Sequence, residues 1–151
     1  MDATAGDAAA FDAVLAALTP DAVTELREAL DAVEAAGPPY AHWPRHEPDE
    51  RGVIQMPYPL YTPAVDRLRS AAGRLVVVFE WPAWAGYSAY DAPEALAAAP
   101  VHDALRMITR TLRGERFVDG ALEGELDAGR FQAAVRRVLD VLASDARPTR
   151  D

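Results

Sequence analysis

Apolar positions recur along most of this chain at helical spacing. Phe11, Val14, Leu15 and Leu18 fall at i, i+3, i+4 and i+7, which is one helical face. Thr19-Pro20-Asp21 then supplies a stop and a new start, since a threonine hydroxyl caps a helix and proline suits its first position. Val23, Leu26, Leu30 and Val33 form the apolar stripe of a second helix, which Gly37-Pro38-Pro39 ends. Together residues 7–36 predict an N-terminal helical hairpin. Residues 40–52 mix proline with charge, carry no periodicity and predict a long surface loop.

Two segments carry strand patterning. Val53–Met56 is a short candidate, limited by Pro57 and Pro59, which cannot donate to a ladder. Leu75–Trp81 is β-branched and aromatic up to Pro82, with Leu75, Val77, Phe79 and Trp81 on one face and Val76, Val78 and Glu80 on the other. Between them Thr62-Pro63 starts a helix with Val65, Leu68 and Ala72 buried, so the two strands are expected to pair through a parallel crossover. A further strand is expected from another segment or from a second subunit, because two strands alone are marginal.

The last third is helical again. Val101, Leu105, Ile108 and Leu112 form one stripe, and Gly114 breaks the chain. A short helix is expected over 117–126, followed by the clean amphipathic face of Phe131, Ala134, Val135, Val138, Leu139 and Leu142. The tail over 144–151 is polar and expected to fray. The pattern as a whole predicts one α+β domain over 1–151, predominantly helical, with a small sheet whose strands lie near 53–56 and 75–81.

Composition narrows the function classes. The 151 residues suit one domain, and half of them are apolar, which is too many for a disordered chain. The absence of Cys removes disulfides, thiolate metal sites and Cys nucleophiles. A net charge of −9 argues against a protein that coats nucleic acid or anionic membrane. With 32 Ala, no Lys, no Asn and two Ile, the usage points to a GC-rich, prokaryotic genome, with salt adaptation as the other explanation. Met1–Ala10 lacks the basic start of a secretory signal, and no apolar run approaches the ~18 residues of a membrane span, so a cytoplasmic protein is expected.

Three constellations could carry chemistry. Gln55–Tyr61 presents Tyr58 and Tyr61 on a proline-stiffened chain, as a ligand wall or as tyrosines that plug the space between sheet and helix. Phe79-Glu-Trp-Pro-Ala-Trp84 places Glu80 at the end of an apolar row beside Trp81 and Trp84; the carboxylate would be a general acid or base, or a structural ion-pair partner. Arg106, Arg110 and Arg113 line one helical face, with Arg116 past the Gly114 break. Converging guanidinium groups there would clamp a carboxylate or phosphate, or form a solvated stripe. An ion pair from Glu80 to Arg113 or Arg116 is the expected tie between the two halves. His42 and His46 have i, i+4 spacing but flank Pro44 in a loop, Ser88 lacks a nucleophile elbow, and there is no Gly-rich phosphate loop. No metal and no cofactor is indicated.

Gly52-Val-Ile-Gln-Met-Pro-Tyr58, Tyr61, the Thr62-Pro63 start, Phe79-Glu-Trp-x-x-Trp84 and Arg113-Gly-Glu-Arg-Phe-Val-Asp-Gly-Ala-Leu122, in that order, resemble an uncharacterised prokaryotic family, domain of unknown function 6508. The resemblance spans residues 42–142 and reaches the N-terminal hairpin least. The family pattern often carries Asp where this chain has Glu80, so the charge is kept and the reach is longer. It implies no activity, ligand or catalytic residue. Two functions remain in view: a non-catalytic module that binds a protein or a small ligand, with a homodimer open, and a small hydrolase or transferase using Glu80 as acid–base and Arg113 and Arg116 as an anion clamp.

Overall fold

The computed structural model describes residues 3–146, with side chains from residue 7 onward. Seven α-helices, three short 3₁₀ helices and one small sheet occur in these residues: α1 (Ala3–Ala17), α2 (Pro20–Ala36), β1 (Ala41–His42), β2 (Leu60–Tyr61), α3 (Pro63–Ala72), α4 (Pro93–Ala97), α5 (Val101–Gly114), α6 (Ala121–Asp127) and α7 (Arg130–Asp145), with the 3₁₀ helices at Gly73–Leu75, Trp81–Ala83 and Ala85–Tyr90. This is a mostly helical α+β domain. Expected caps are in place: the Thr19 hydroxyl accepts from Ala22 N at 3.1 Å, and that of Thr62 from Val65 N at 3.3 Å. Gly37 closes α2 at φ +63°, a conformation that costs other residues a Cβ clash. The expected frayed tail overlaps the end of α7, and its last residues, 147–151, lie outside the described ones.

The core forms where α5 and α7 cross, around Leu105, Ile108, Phe131, Val135 and Val138, all buried. α2 lies against α3 and α7, and α4 covers another stretch of α7. The N-terminal helices find their main partners elsewhere than in each other. α1 packs on α5 and on the turn at 73–75, where Phe11 is buried between Phe79 and His102. His102 Nε2 also meets the Asp12 carboxylate at 2.8 Å.

Both strands lie elsewhere than at 53–56 and 75–81, and the pairing is antiparallel rather than a parallel crossover. Ala41 faces Tyr61 and His42 faces Leu60. Proline is the cause. Pro44 and Pro48 on one limb, and Pro57 and Pro59 on the other, lack the N–H a ladder needs. The ladder therefore survives only at the base, and Thr62 N extends it to Tyr40 O at 3.1 Å. Val53–Met56 runs unpaired along the exposed outer limb of the resulting arm.

The 75–81 segment keeps the predicted faces without becoming a strand. Leu75 and Val77 are buried and Phe79 packs on the core, while Val78 and Glu80 face outward. Its partner is a helix. Val77 N donates to the hydroxyl of Thr109, a fully buried residue of α5, at 3.1 Å. Beyond it the chain tightens at once into a 3₁₀ turn over Trp81–Ala83. Replacing Thr109 with valine keeps the shape and leaves the Val77 N–H buried without an acceptor. Urea denaturation of Thr109→Val should show a loss of about 2 kcal/mol, with Thr109→Ser retaining most of the stability.

Candidate binding site

The C-terminal end of α5 and the irregular residues after it present an exposed surface of aromatic and aliphatic side chains. Gly114 ends the helix, and Phe117 and Val118 donate their N–H groups back to its carbonyl at 2.9 and 2.8 Å. That turn throws Phe117 and Val118 outward, 77% and 63% exposed, opposite Val78 at 87%. α6 starts only at Ala121, four residues later than the pattern suggests, because Gly120 sits at φ +89°. Trp81 and Phe117 lie with ring centroids 6.0 Å apart and planes inclined by 30°.

A cleft opens on each side of this ring pair. One, of about 230 Å³, has Val77, Val78 and Phe79 as one wall and Arg113 and Arg116 as the other. The second, of about 280 Å³, runs past Arg110, Gly114, Val118 and Ala121 to Glu125. Arg110 stacks over the Tyr87 ring at 3.8 Å, and Glu125 is held by Arg130 in a two-point pair at 2.7 and 2.9 Å. The arginine face of α5 divides: Arg106 turns to Asp103 at 2.7 Å and lies 4.7 Å over Phe11, while Arg110 and Arg113 reach the clefts.

The buried carboxylate next to the site is Glu115. It is 6% exposed and accepts from Tyr61 Oη at 2.7 Å, Leu122 N at 2.7 Å and Gly120 N at 3.3 Å. The Tyr61 oxygen in turn accepts from Glu123 N at 3.3 Å. Trp43 completes the joint by donating to both Glu123 carboxylate oxygens at 3.2 Å, its ring so close to Gly120 that a Cβ there would meet it at 2.8 Å. The base of the arm is thereby locked to the α5–α6 connection.

Glu80 has none of this role. Among the described residues it is exposed and joins no ion pair, and Arg113 and Arg116 join none either. The expected tie from Glu80 is corrected by its position: alternation turns it to the solvent side of 75–81, and the tie between the halves runs through Tyr61 and Glu115. Of the residues singled out from the sequence, Trp81, Arg113 and Arg116 share one cleft. Tyr61 lines neither cleft and donates to Glu115. Tyr58 stacks on His46 in the arm at 5.7 Å, and Trp84 packs on Phe79 and Tyr90 at 6.3 and 6.5 Å. Sequence reasoning passed over Phe117, Glu115 and Trp43. The signal for Glu115 was its place inside Arg113-Gly-Glu-Arg-Phe, beside a bend that leaves backbone N–H groups needing an acceptor. Among the described residues no group of three or more His, Asp or Glu side chains is placed to hold a metal ion. No helix there is long and apolar enough to cross a membrane.

The model of a family of unknown function, DUF6508, matches residues 18–144. The chain belongs to this family. The DUF6508 match takes in α2, beyond the reach of the motifs that suggested it, and leaves α1 outside. No curated protein and no solved structure matches the chain.

Burial, reinforced by the adjacent Glu115 carboxylate, holds the Tyr61 hydroxyl protonated well above the ordinary tyrosine range. Burial and then Asp103 push the Tyr90 hydroxyl up to about 12. The unfolded chain releases these protons near pH ~10 while the folded one keeps them, so stability is intact below that pH and falls as pH rises toward ~12. Urea melts across this window should show the fall, and it should be shallower in Tyr61→Phe and Tyr90→Phe. At neutral pH Glu115→Ala, which strands three donors, should cost about 3 kcal/mol and Tyr61→Phe about 2 kcal/mol.

Proposed function

We propose that this chain is a non-catalytic binding module. Its site is the Trp81–Phe117 ring pair with the two flanking clefts, and its ligand carries a negative charge beside a flat or aliphatic apolar body. The observation that carries this reading is the placement of Arg110, Arg113 and Arg116 around exposed apolar side chains in a protein of net charge −9. Guanidinium groups pair with carboxylate and phosphate, while aromatic faces take the apolar body. Exposed apolar groups grouped in this way favour contact with a partner over solvent. Glu80 lines neither cleft, so an enzyme that uses it as acid–base with Arg113 and Arg116 as clamp draws no support from the site's geometry.

Anilinonaphthalene sulfonate, an anion on a flat apolar body, probes this chemistry directly by its fluorescence. Saturable binding is expected at protein concentrations low enough to keep the chain monomeric. Phe117→Ala, and separately Arg113→Ala with Arg116→Ala, should each raise the dissociation constant at least ~fivefold, about 1 kcal/mol. Binding that is equally tight in both weakened variants, or no saturable binding at all, would overturn the reading.

A further inference from the structure

We propose that the partner of the Trp81–Phe117 site is a second copy of this chain, which docks through the arm formed by residues 41–61. This rests on the binding-module reading of that site and names its occupant.

The arm is built as a projecting, preformed element. Its base is the β1–β2 pair, locked to the α5–α6 connection by Tyr61 on Glu115 and Trp43 on Glu123. Midway, His46 stacks on Tyr58 across the two limbs. At the tip, the Asp49 carboxylate accepts from Arg51 N at 2.8 Å and Val53 N at 2.9 Å, and Asp49 N donates to Val53 O at 2.9 Å. Eight residues from Trp43 to Glu50 reach roughly 25 Å when extended. A fixed arm of this kind loses little conformational entropy on docking.

What the arm presents fits what the site lacks. Its outer limb carries Val53, Ile54 and Met56 in solvent, Met56 being 81% exposed, and the site carries Val78, Phe117 and Val118 in solvent. The charges match in both directions. Asp49 is occupied within its turn, which leaves Glu47 and Glu50 as free carboxylates for Arg113 and Arg116. Arg45 and Arg51 on the arm have counterparts in Glu80 and Asp119, the chain neighbours of Trp81 and Val118. Among the described residues none of these eight charges joins an ion pair. Copies of a chain with net charge −9 repel one another at a distance, and a local cationic patch such as Arg113 and Arg116 provide offsets that repulsion at the contact.

The site grows from the α5–α6 connection, and the base of the arm is hydrogen-bonded to that same connection. A two-fold axis beside it lets each arm lie on the partner's site, so that one contact is made twice and the assembly closes. The prolines that confine the ladder to the arm's base also discourage open-ended strand pairing along its limbs.

Sedimentation equilibrium of the full chain tests this. The wild type is expected at twice the monomer's 16.3 kDa. Glu47→Arg with Glu50→Arg places a basic arm against a basic site, and Arg113→Glu with Arg116→Glu places an acidic arm against an acidic site. Each double variant should weaken dimerisation at least ~tenfold. Mixed one to one, the two variants restore both attractions, and the dimer should return. Misfolded variants would not recover on mixing, so recovery is specific to the docked arm. A wild type that stays monomeric, two double variants that dimerise as the wild type does, or a mixture that stays monomeric would each overturn the second copy as partner. A monomeric wild type that still binds anilinonaphthalene sulfonate through Phe117 would remove only the occupant; loss of that binding as well would remove the site.

Discussion

A buried carboxylate requires donors, and the arrangement around Glu115 follows from that requirement. Its position after the last turn of α5 places it where the chain bends through Gly120 and exposes N–H groups that no helix satisfies. The carboxylate takes two of those groups and the Tyr61 hydroxyl, so one side chain closes the bend and holds the base of the arm. A carboxyl group withdrawn from water is tolerable only when it is bonded in this way. Everything that projects nearby, Phe117 on one side and the arm on the other, is positioned by this joint.

The same constraint explains the exposed surface. Because the turn after Gly114 is spent on capping α5 and serving Glu115, its next side chains have no core to enter. Phe117 and Val118 meet Val78 and Trp81 at the surface instead, with the arginines of α5 around them. The rest of the domain shows the opposite economy. Phe11, Leu105, Ile108 and Phe131 are fully or almost fully buried, so the molecule has a regular core and leaves apolar groups out at the arm and at the ring pair.

Much of the helical architecture was legible in the chain. Helical spacing identified the buried stripes of α2, α3, α5 and α7, and threonine followed by proline marked two helix starts. Alternation separated the two faces of 75–81, and the structure turns the Val77 face inward and leaves Val78 out. Strand patterning did not reveal whether a strand partner existed: Val77 N found Thr109 on a helix, and Val53–Met56 found none. The site was half legible. Trp81, Arg113 and Arg116 were recognisable as arginine and aromatic surplus, whereas Phe117 was read as the first residue of a helix that begins four positions later.

Local pattern determined the inward faces of α2, α3, α5 and α7 and the starts of α2 and α3, because a repeating backbone converts spacing directly into direction. Tertiary structure alone decided which polar groups meet. Tyr61 and Glu115 are 54 residues apart and Trp43 and Glu123 are 80 apart, separations over which no periodicity carries information. Alternation set Glu80 on the face opposite Val77, whereas only the packing of distant elements buried Glu115 among donors.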